Sequence, residues 1–131
     1  MRGLAVLAIL WAGGAFAEPA DPMRGTEVFR DYCAVCHGLE ARGDGPMASV
    51  LLIRPPDLTG LSDRNGGDFP VAAVATWIDG RSPLAAHGGD MPVFGRIFDF
   101  PDGSIASETG QPIITAQPIA DVISWLETVQ E

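Results

Sequence analysis

The chain of 131 residues contains no lysine, and all eight of its basic side chains are arginines, against 17 acidic side chains. Its formal net charge is −9, and no basic stretch interrupts this balance. Proteins that bind nucleic acid need a basic patch or stripe to contact the phosphates. The composition therefore excludes nucleic-acid binding. It predicts either a partner with a positively charged docking patch, which the acidic chain would attract, or a charge that serves solubility alone.

Long apolar runs are also scarce, and the one such run spans residues 3–14. Arg2 precedes it and a small-x-small sequence at residues 15–17 follows it, which is the pattern of a secretory signal peptide. The run is shorter than the roughly 20 residues that a membrane-spanning helix needs. We therefore predict a signal peptide at residues 1–17, export to the periplasm, and one mature domain at residues 18–131 without a membrane span. An uncleaved membrane anchor is the alternative.

Cysteine and histidine are rare, with two of each in the chain. Both cysteines and one histidine stand together in the sequence Cys33-Ala-Val-Cys36-His37. Cys-x-x-Cys-His is the attachment pattern of c-type haem, because two thiols at this spacing can form thioether bonds to the two vinyl groups of one porphyrin. The histidine then lies under the iron and can ligate it. The motif predicts one covalent haem c on Cys33 and Cys36, with His37 as the proximal iron ligand.

Three other interpretations of this motif compete with haem. A thioredoxin-like redox pair should open a helix after a strand, whereas this motif follows a helix-like stretch and enters a Gly-rich loop. A zinc site of Cys33, Cys36, His37 and His87 has the right number of ligands, but the adjacent Cys36 and His37 make an awkward tetrahedral pair. A disulfide between the two cysteines would close too small a loop to stabilise the chain much.

Apolar periodicity and helix-stop signals predict three helices, at residues 22–34, 71–78 and 118–129. Asp21 is suited to be the N-cap of the first helix, since Pro22 takes the first helical position. Asp79 and Gly80 end the second helix. In the third, the apolar residues lie along one face, and we expect that face to be buried.

The remaining segments are predicted to be loops, apart from one insertion. Residues 38–67 are rich in Gly, Pro and Asp, which favours a long loop without strands, and a loop of this length in a small domain should wrap something. Residues 96–117 alternate short apolar and polar pieces around turn residues and predict a small hairpin-like insertion. The predicted fold class is all-α, with three to four short helices and long loops wrapped around one covalent haem.

The residues that lead into the motif resemble the N-terminal helix of class I cytochromes c. Gly25, Phe29 and Cys33 follow one another at four-residue spacing, as in that family, where the glycine and the aromatic residue pack against the C-terminal helix. The resemblance implies that they contact Trp125 and Leu126 here. Glycine lowers helix stability, so close contact between the helices gives Gly25 a reason to be present. The cytochrome c fold is implied for the whole mature domain.

The resemblance also implies a methionine as the sixth iron ligand. Met91 is the best candidate, because it lies in a Gly-rich loop before Pro92 and looks like the Met-Pro ligand loop of the family. A thioether ligand favours a raised reduction potential. Met23, Met47 and His87 are rival ligands, and a vacant or water-filled site is the further alternative.

Further residues are predicted around the haem. Pro46, in the sequence Gly43-Asp-Gly45-Pro46, resembles the family's Gly-Pro that offers a backbone carbonyl to the proximal imidazole, and a plain turn is the alternative. Arg54 and Trp77 are predicted to contact a haem propionate through a guanidinium and an indole N–H, and Arg81 is a further candidate. For the arginines, a solvated surface position is the alternative.

The sequence thus predicts an exported monohaem cytochrome c, His/Met ligated, that carries single electrons between redox partners. It would be a monomer or a subunit of a redox complex, and it is predicted not to be an enzyme, because no acid–base pair or nucleophile constellation is evident. Two alternatives stay open. One is an electron-entry subunit of a periplasmic dehydrogenase or oxidase complex, and the other is a gas-binding or peroxidatic haem protein with an open sixth position.

Overall fold

The computed structural model describes residues 18–82 and 89–131, so the predicted signal peptide and His87 lie outside the described residues. The helices are α1 (Pro22–Val28), α2 (Ala34–His37), α3 (Leu61–Arg64), α4 (Val71–Asp79), α5 (Phe94–Ile97) and α6 (Gln117–Thr128). A π-helical turn (Phe29–Cys33) joins α1 to α2, and the strands are β1 (Gly103–Ala106) and β2 (Pro112–Thr115). The described part is mostly helical, which confirms the helical part of the fold-class prediction, and it also contains one small two-stranded sheet.

The first helix, the π turn and α2 form one continuous helical run over residues 22–37. Asp21 caps its start, since its carboxylate accepts a hydrogen bond of 2.9 Å from the Met23 N–H, and this confirms the predicted helix start. In the π turn, the Ala34 N–H bonds to the carbonyl of Phe29, one residue further back than in an α-helix. The run continues beyond its predicted end and includes the whole Cys-x-x-Cys-His motif.

The contact between α1 and α6 is the most extensive between helices in the described chain. Gly25 lies where they cross: a Cβ at this position would overlap the backbone carbonyl oxygen of Asp121 and lie 2.9 Å from Cβ of Trp125. Only glycine permits this approach. The ring of Phe29 packs on Trp125 with the centroids 4.4 Å apart, and Leu126 is buried in the same core. The predicted helix packing is confirmed.

The core is completed by the apolar faces of α4 and α6. Both helices lie within a residue or so of their predicted bounds, and Gly80 ends α4 in the left-handed conformation, with φ of +77°. The buried apolar side chains of these two helices are Val71, Val74, Ala75, Ile78, Ile119, Ala120, Val122, Ile123 and Leu126. The periodicity in the sequence therefore identified the buried face correctly.

The two segments predicted to lack helices behave differently. Residues 38–67 contain no strand, as predicted, but the short helix α3 forms near their end. Within residues 96–117, β1 and β2 pair antiparallel with Gly103 opposite Thr115, so the predicted hairpin is confirmed. Among the residues that the structure describes, no helix is long and apolar enough to cross a membrane.

Candidate functional site

The Cys-x-x-Cys-His motif occupies the last turn of the N-terminal helical run. Cys33 ends the π turn, and Cys36 and His37 lie at the end of α2. Gly38, with φ of +78°, ends the helix. The side chains of Cys33, Cys36 and His37 are each partly buried, and both thiols are free. A redox-active Cys-x-x-Cys pair is activated by the opposite end of a helix, its N-terminus.

The loop after the motif folds back over it and satisfies the exposed carbonyls at the helix end. Three main-chain hydrogen bonds join them, Gly43 N–H to His37 (2.8 Å), Gly45 N–H to Cys36 (3.1 Å) and Met47 N–H to Val35 (2.9 Å). The last carbonyls of a helix have no partner within the helix, so these bonds stabilise the turn. A Cβ at Gly45 would lie 2.6 Å from three backbone atoms of the motif segment, which explains the glycine at this position.

The imidazole of His37 is in the form that a metal ligand requires. Burial lowers the pKa of His37, and the backbone carbonyl of Pro56 acts in the opposite direction. The imidazole is therefore neutral at neutral pH and keeps a lone pair for a metal ion. Its Nδ1 is buried without a hydrogen-bond partner among the described residues. The Pro56 carbonyl thus lies near the ring without making a hydrogen bond of ordinary geometry to Nδ1.

The thiol of Cys33 is unsuited to redox exchange. Burial, with a smaller contribution from Cys36, raises the pKa of the Cys33 thiol to about 12. Because the thiolate is the nucleophile in disulfide exchange, a thiol that stays protonated at neutral pH reacts slowly. This argues against the thioredoxin-like alternative.

Within residues 18–82 and 89–131, no three His, Cys, Asp or Glu side chains are grouped to hold a metal ion. His87, the fourth candidate ligand for zinc, lies outside these ranges.

Met91 is placed differently from the other two candidate methionines. It is partly buried and packs against the hydrophobic core, whereas Met23 is 77% exposed and Met47 is 43% exposed. The preceding residue, Asp90, accepts a hydrogen bond of 3.2 Å through Oδ2 from the Leu52 N–H. This bond ties the Met91 segment to the loop that follows the motif.

The other residues predicted around the haem lie on separate segments. Pro46 is exposed in the turn that follows Gly45. Arg54 is exposed as well, and its Nε donates a hydrogen bond of 3.4 Å to the carbonyl of Gly43, which places it at the loop over the motif. Trp77 lies on α4 with a partly exposed indole. Arg81 is exposed and pairs with its neighbour Asp79.

Apolar side chains between the motif and Asp90 are turned to solvent. Val50, Leu52 and Ile53 are all exposed, and Leu52 is 95% exposed. Clustered exposed apolar residues mark a surface that binds something. The two thiols and the neutral imidazole of the turn before this loop are the groups that attachment of a covalent haem needs.

Sequence reasoning missed two contacts near the site. The sequence predicted only that the segment with Pro56 is a loop, and no residue pattern indicated that Pro56 lies beside His37. The buried hydrogen bond between Asp79 and Thr115 joins residues that the sequence placed in a helix stop and a hairpin, and only their polar character could have suggested a pairing.

Comparison with protein families gives a match to the Cytochrome c family over residues 22–130. The match runs from the start of α1 to just past the end of α6, and so includes the motif and Met91. Comparison with curated proteins and with solved structures gives no match.

Proposed function

Because the chain belongs to the cytochrome c family, we propose that it is a monohaem electron carrier whose iron is ligated by His37 and Met91. Membership of the family implies a covalently bound haem c and haem-based electron transfer. The observation that supports this assignment of attachment and ligand residues is the last turn of the helical run. This turn contains two free thiols and a neutral, partly buried imidazole. Met91 supplies a thioether that already packs on the core.

Each residue of the site has one role in this proposal. Haem c supplies one-electron chemistry at its iron. Cys33 and Cys36 would hold the group by thioether bonds, and His37 would provide a nitrogen ligand to its iron. Met91 provides the distal sulfur, which favours a raised reduction potential.

We assign to Pro56 the role that the sequence suggested for Pro46. The Pro56 carbonyl, and not that of Pro46, is the backbone group that acts on the His37 imidazole. A hydrogen bond from Nδ1–H to this carbonyl would satisfy the buried Nδ1, fix the tautomer and raise the basicity of the ligand. Arg54 and Trp77 keep their proposed role as propionate contacts, and the position of Arg54 at the loop over the motif supports its part.

We further propose that the protein works in the periplasm and passes electrons to partners with positively charged docking patches. The support for export is the signal-peptide pattern of residues 1–17. The support for the partner's charge is the net charge of −9, which would attract a basic surface and speed association.

Replacement of the distal ligand tests this proposal. In Met91→Ala, the sulfur-to-iron charge-transfer band of the oxidised protein should vanish and the reduction potential should fall, because the iron loses its thioether. The measurements are the visible spectrum in both redox states and a redox titration.

Met23→Ala and Met47→Ala are the matched controls, since both methionines are exposed, and both variants should keep the band. Survival of the band in Met91→Ala would show that Met91 is not the ligand. Prompt, complete binding of carbon monoxide by the reduced wild type at neutral pH would instead support the gas-binding or peroxidatic alternative.

A further inference from the structure

Met91 lies in the chain segment between Gly80 and Val93, and the two ends of this segment are in contact. Gly80 ends α4, and a Cβ at this position would overlap the side chain of Val93. A Cβ on Gly95 would lie 2.5 Å from the backbone carbonyl oxygen of Asp79. Both glycines therefore allow the two ends of the segment to lie side by side in direct contact.

The hairpin makes hydrogen bonds to the end of α4, where the first of these two ends lies. Thr115, at the end of β2, donates a hydrogen bond of 2.7 Å from Oγ1 to Oδ1 of Asp79. Both side chains are buried, since Thr115 is 2% exposed and the Asp79 side chain is 8% exposed. Arg81 makes a second link, because it pairs with Asp79 and donates a hydrogen bond of 3.0 Å to the carbonyl of Ile114.

The hairpin is itself anchored on the C-terminal helix. The Gln117 N–H, at the start of α6, donates a hydrogen bond of 3.0 Å to Oδ1 of Asp102, just before β1. A Cβ on Gly103 would lie 2.6 Å from Cα of Gln117, so strand and helix are in backbone contact. A chain of contacts thus runs from α6 through the hairpin to Asp79 and the segment that bears Met91.

We propose that Thr115 and Asp79 are positioning residues for the sixth iron ligand, and that the hairpin is a brace that holds the Met91 segment in its ligating conformation. This inference rests on the proposed His37/Met91 centre. A loop with fixed ends loses less conformational entropy when one of its residues is bound. Fixing residue 79 against the hairpin therefore favours the methionine over any free ligand that competes for the iron. The hairpin thereby gains a function that its sequence did not indicate.

Displacement of Met91 by added imidazole in the oxidised holoprotein measures this effect. Thr115→Val keeps the shape of the side chain but removes the hydroxyl, so a buried Asp79 oxygen loses its donor. The apparent equilibrium constant for imidazole binding, followed by loss of the charge-transfer band, should rise about tenfold, which corresponds to the free energy of one buried hydrogen bond. Thr115→Ser keeps the hydroxyl and should bind imidazole nearly as the wild type does.

Thr128→Val is the matched control, because the hydroxyl of Thr128 donates to the carbonyl of Trp125 at an exposed site on α6. It should leave imidazole binding unchanged. If Thr115→Val yields no holoprotein, Arg81→Ala removes the second link at an exposed side chain, and imidazole binding should rise about threefold, as expected for a weaker, solvated contact.

The possible outcomes distinguish a failure of the proposed brace from a failure of the proposed His37/Met91 centre. A wild type without the charge-transfer band contradicts both proposals. A band that is present in the wild type but lost at the same imidazole concentration in Thr115→Val and Thr128→Val overturns the brace alone. Equal weakening in Thr115→Ser and Thr115→Val also overturns it, because the hydroxyl would then have no part.

Discussion

Among single residues, Asp121 receives hydrogen bonds from both ends of the described chain. Its side chain is buried and accepts hydrogen bonds from the Asp21 N–H (2.8 Å), Arg24 Nε (2.8 Å) and Gln117 Nε2 (2.9 Å). Burial of a carboxylate is unfavourable unless donors compensate it, and here they come from both ends of the chain. This residue therefore joins the start of α1 to α6, and the same helix contact supports the run that ends in the Cys-x-x-Cys-His motif. The same contact raises the pKa of Arg24, chiefly through its hydrogen bond to Asp121.

Removal of this carboxylate should destabilise the protein more than removal of an exposed one. We predict that Asp121→Ala lowers the free energy of unfolding by about 2 to 4 kcal/mol, because buried donors lose a charged acceptor. Glu18→Gln, which removes an exposed partner of Arg24, should change it by less than about 1 kcal/mol. Urea unfolding of the holoprotein measures both. Equal effects of the two substitutions would show that Asp121 is no anchor.

The residues of the motif could be predicted from the sequence, whereas their surroundings could not. Cys33, Cys36 and His37 act as a unit because their spacing is local, and local spacing is visible in any sequence. The carbonyl that acts on His37 belongs to Pro56, which lies much further along the chain. Its position depends on the path of the whole loop, and no residue pattern encodes that path.

At the scale of elements, the N-terminal helical run determines where the turn with the Cys-x-x-Cys-His motif lies. The spacing of Gly25, Phe29 and Cys33 is typical of a regular α-helix, but the structure inserts the π turn over Phe29–Cys33. A π turn holds more residues than an α turn, so it rotates the motif relative to the face that packs on α6. Since its residues have ordinary helix propensities, the sequence contains no signal for it. The prediction of one regular helix was wrong in this respect.

The crossing of α1 and α6 is sensitive to a single methyl group. In Gly25→Ala, the added Cβ would overlap the Asp121 carbonyl, so the helices must separate. We predict a loss of about 1 to 3 kcal/mol in the free energy of unfolding, although alanine favours helix more than glycine does. Thermal and urea unfolding of the holoprotein provide the measurement.

Glu27→Ala is the control for this substitution, because Glu27 lies on the exposed side of the same helix. Its effect should stay within about 0.5 kcal/mol. The close-contact interpretation fails if Gly25→Ala is as stable as this control or more stable.

At the scale of the whole molecule, the net charge of −9 should control encounters with redox partners. Charges of one sign attract reagents of the opposite sign over distances set by the Debye length. The predicted loss of residues 1–17 removes Arg2 and would make the mature chain more negative. Long-range attraction of basic partners therefore belongs to the molecule as a whole and to no single residue.

Electron exchange with small metal complexes tests this prediction without a biological partner. The second-order rate constant with a cationic complex should fall severalfold when salt shortens the Debye length from roughly 30 Å to roughly 8 Å. With an anionic complex it should rise, and with a neutral one it should stay unchanged. Stopped-flow absorbance of the haem measures all three. A cationic complex whose rate is indifferent to salt would show that the exposed charge does not reach the site of electron exchange.

The sequence by itself indicated the haem-attachment motif of this protein and located its three main helices and its hairpin. The haem-attachment motif, helix periodicity and the hairpin turn all depend on residues close together in the chain. Their patterns can therefore be recognised in the sequence alone. Only the tertiary structure decided which distant groups meet: Thr115 with Asp79, Asp121 with Asp21, and Pro56 with His37. The physical reason is that polar pairing between segments follows from how the whole chain closes its loops and packs its core, and many pairings are compatible with the same local pattern.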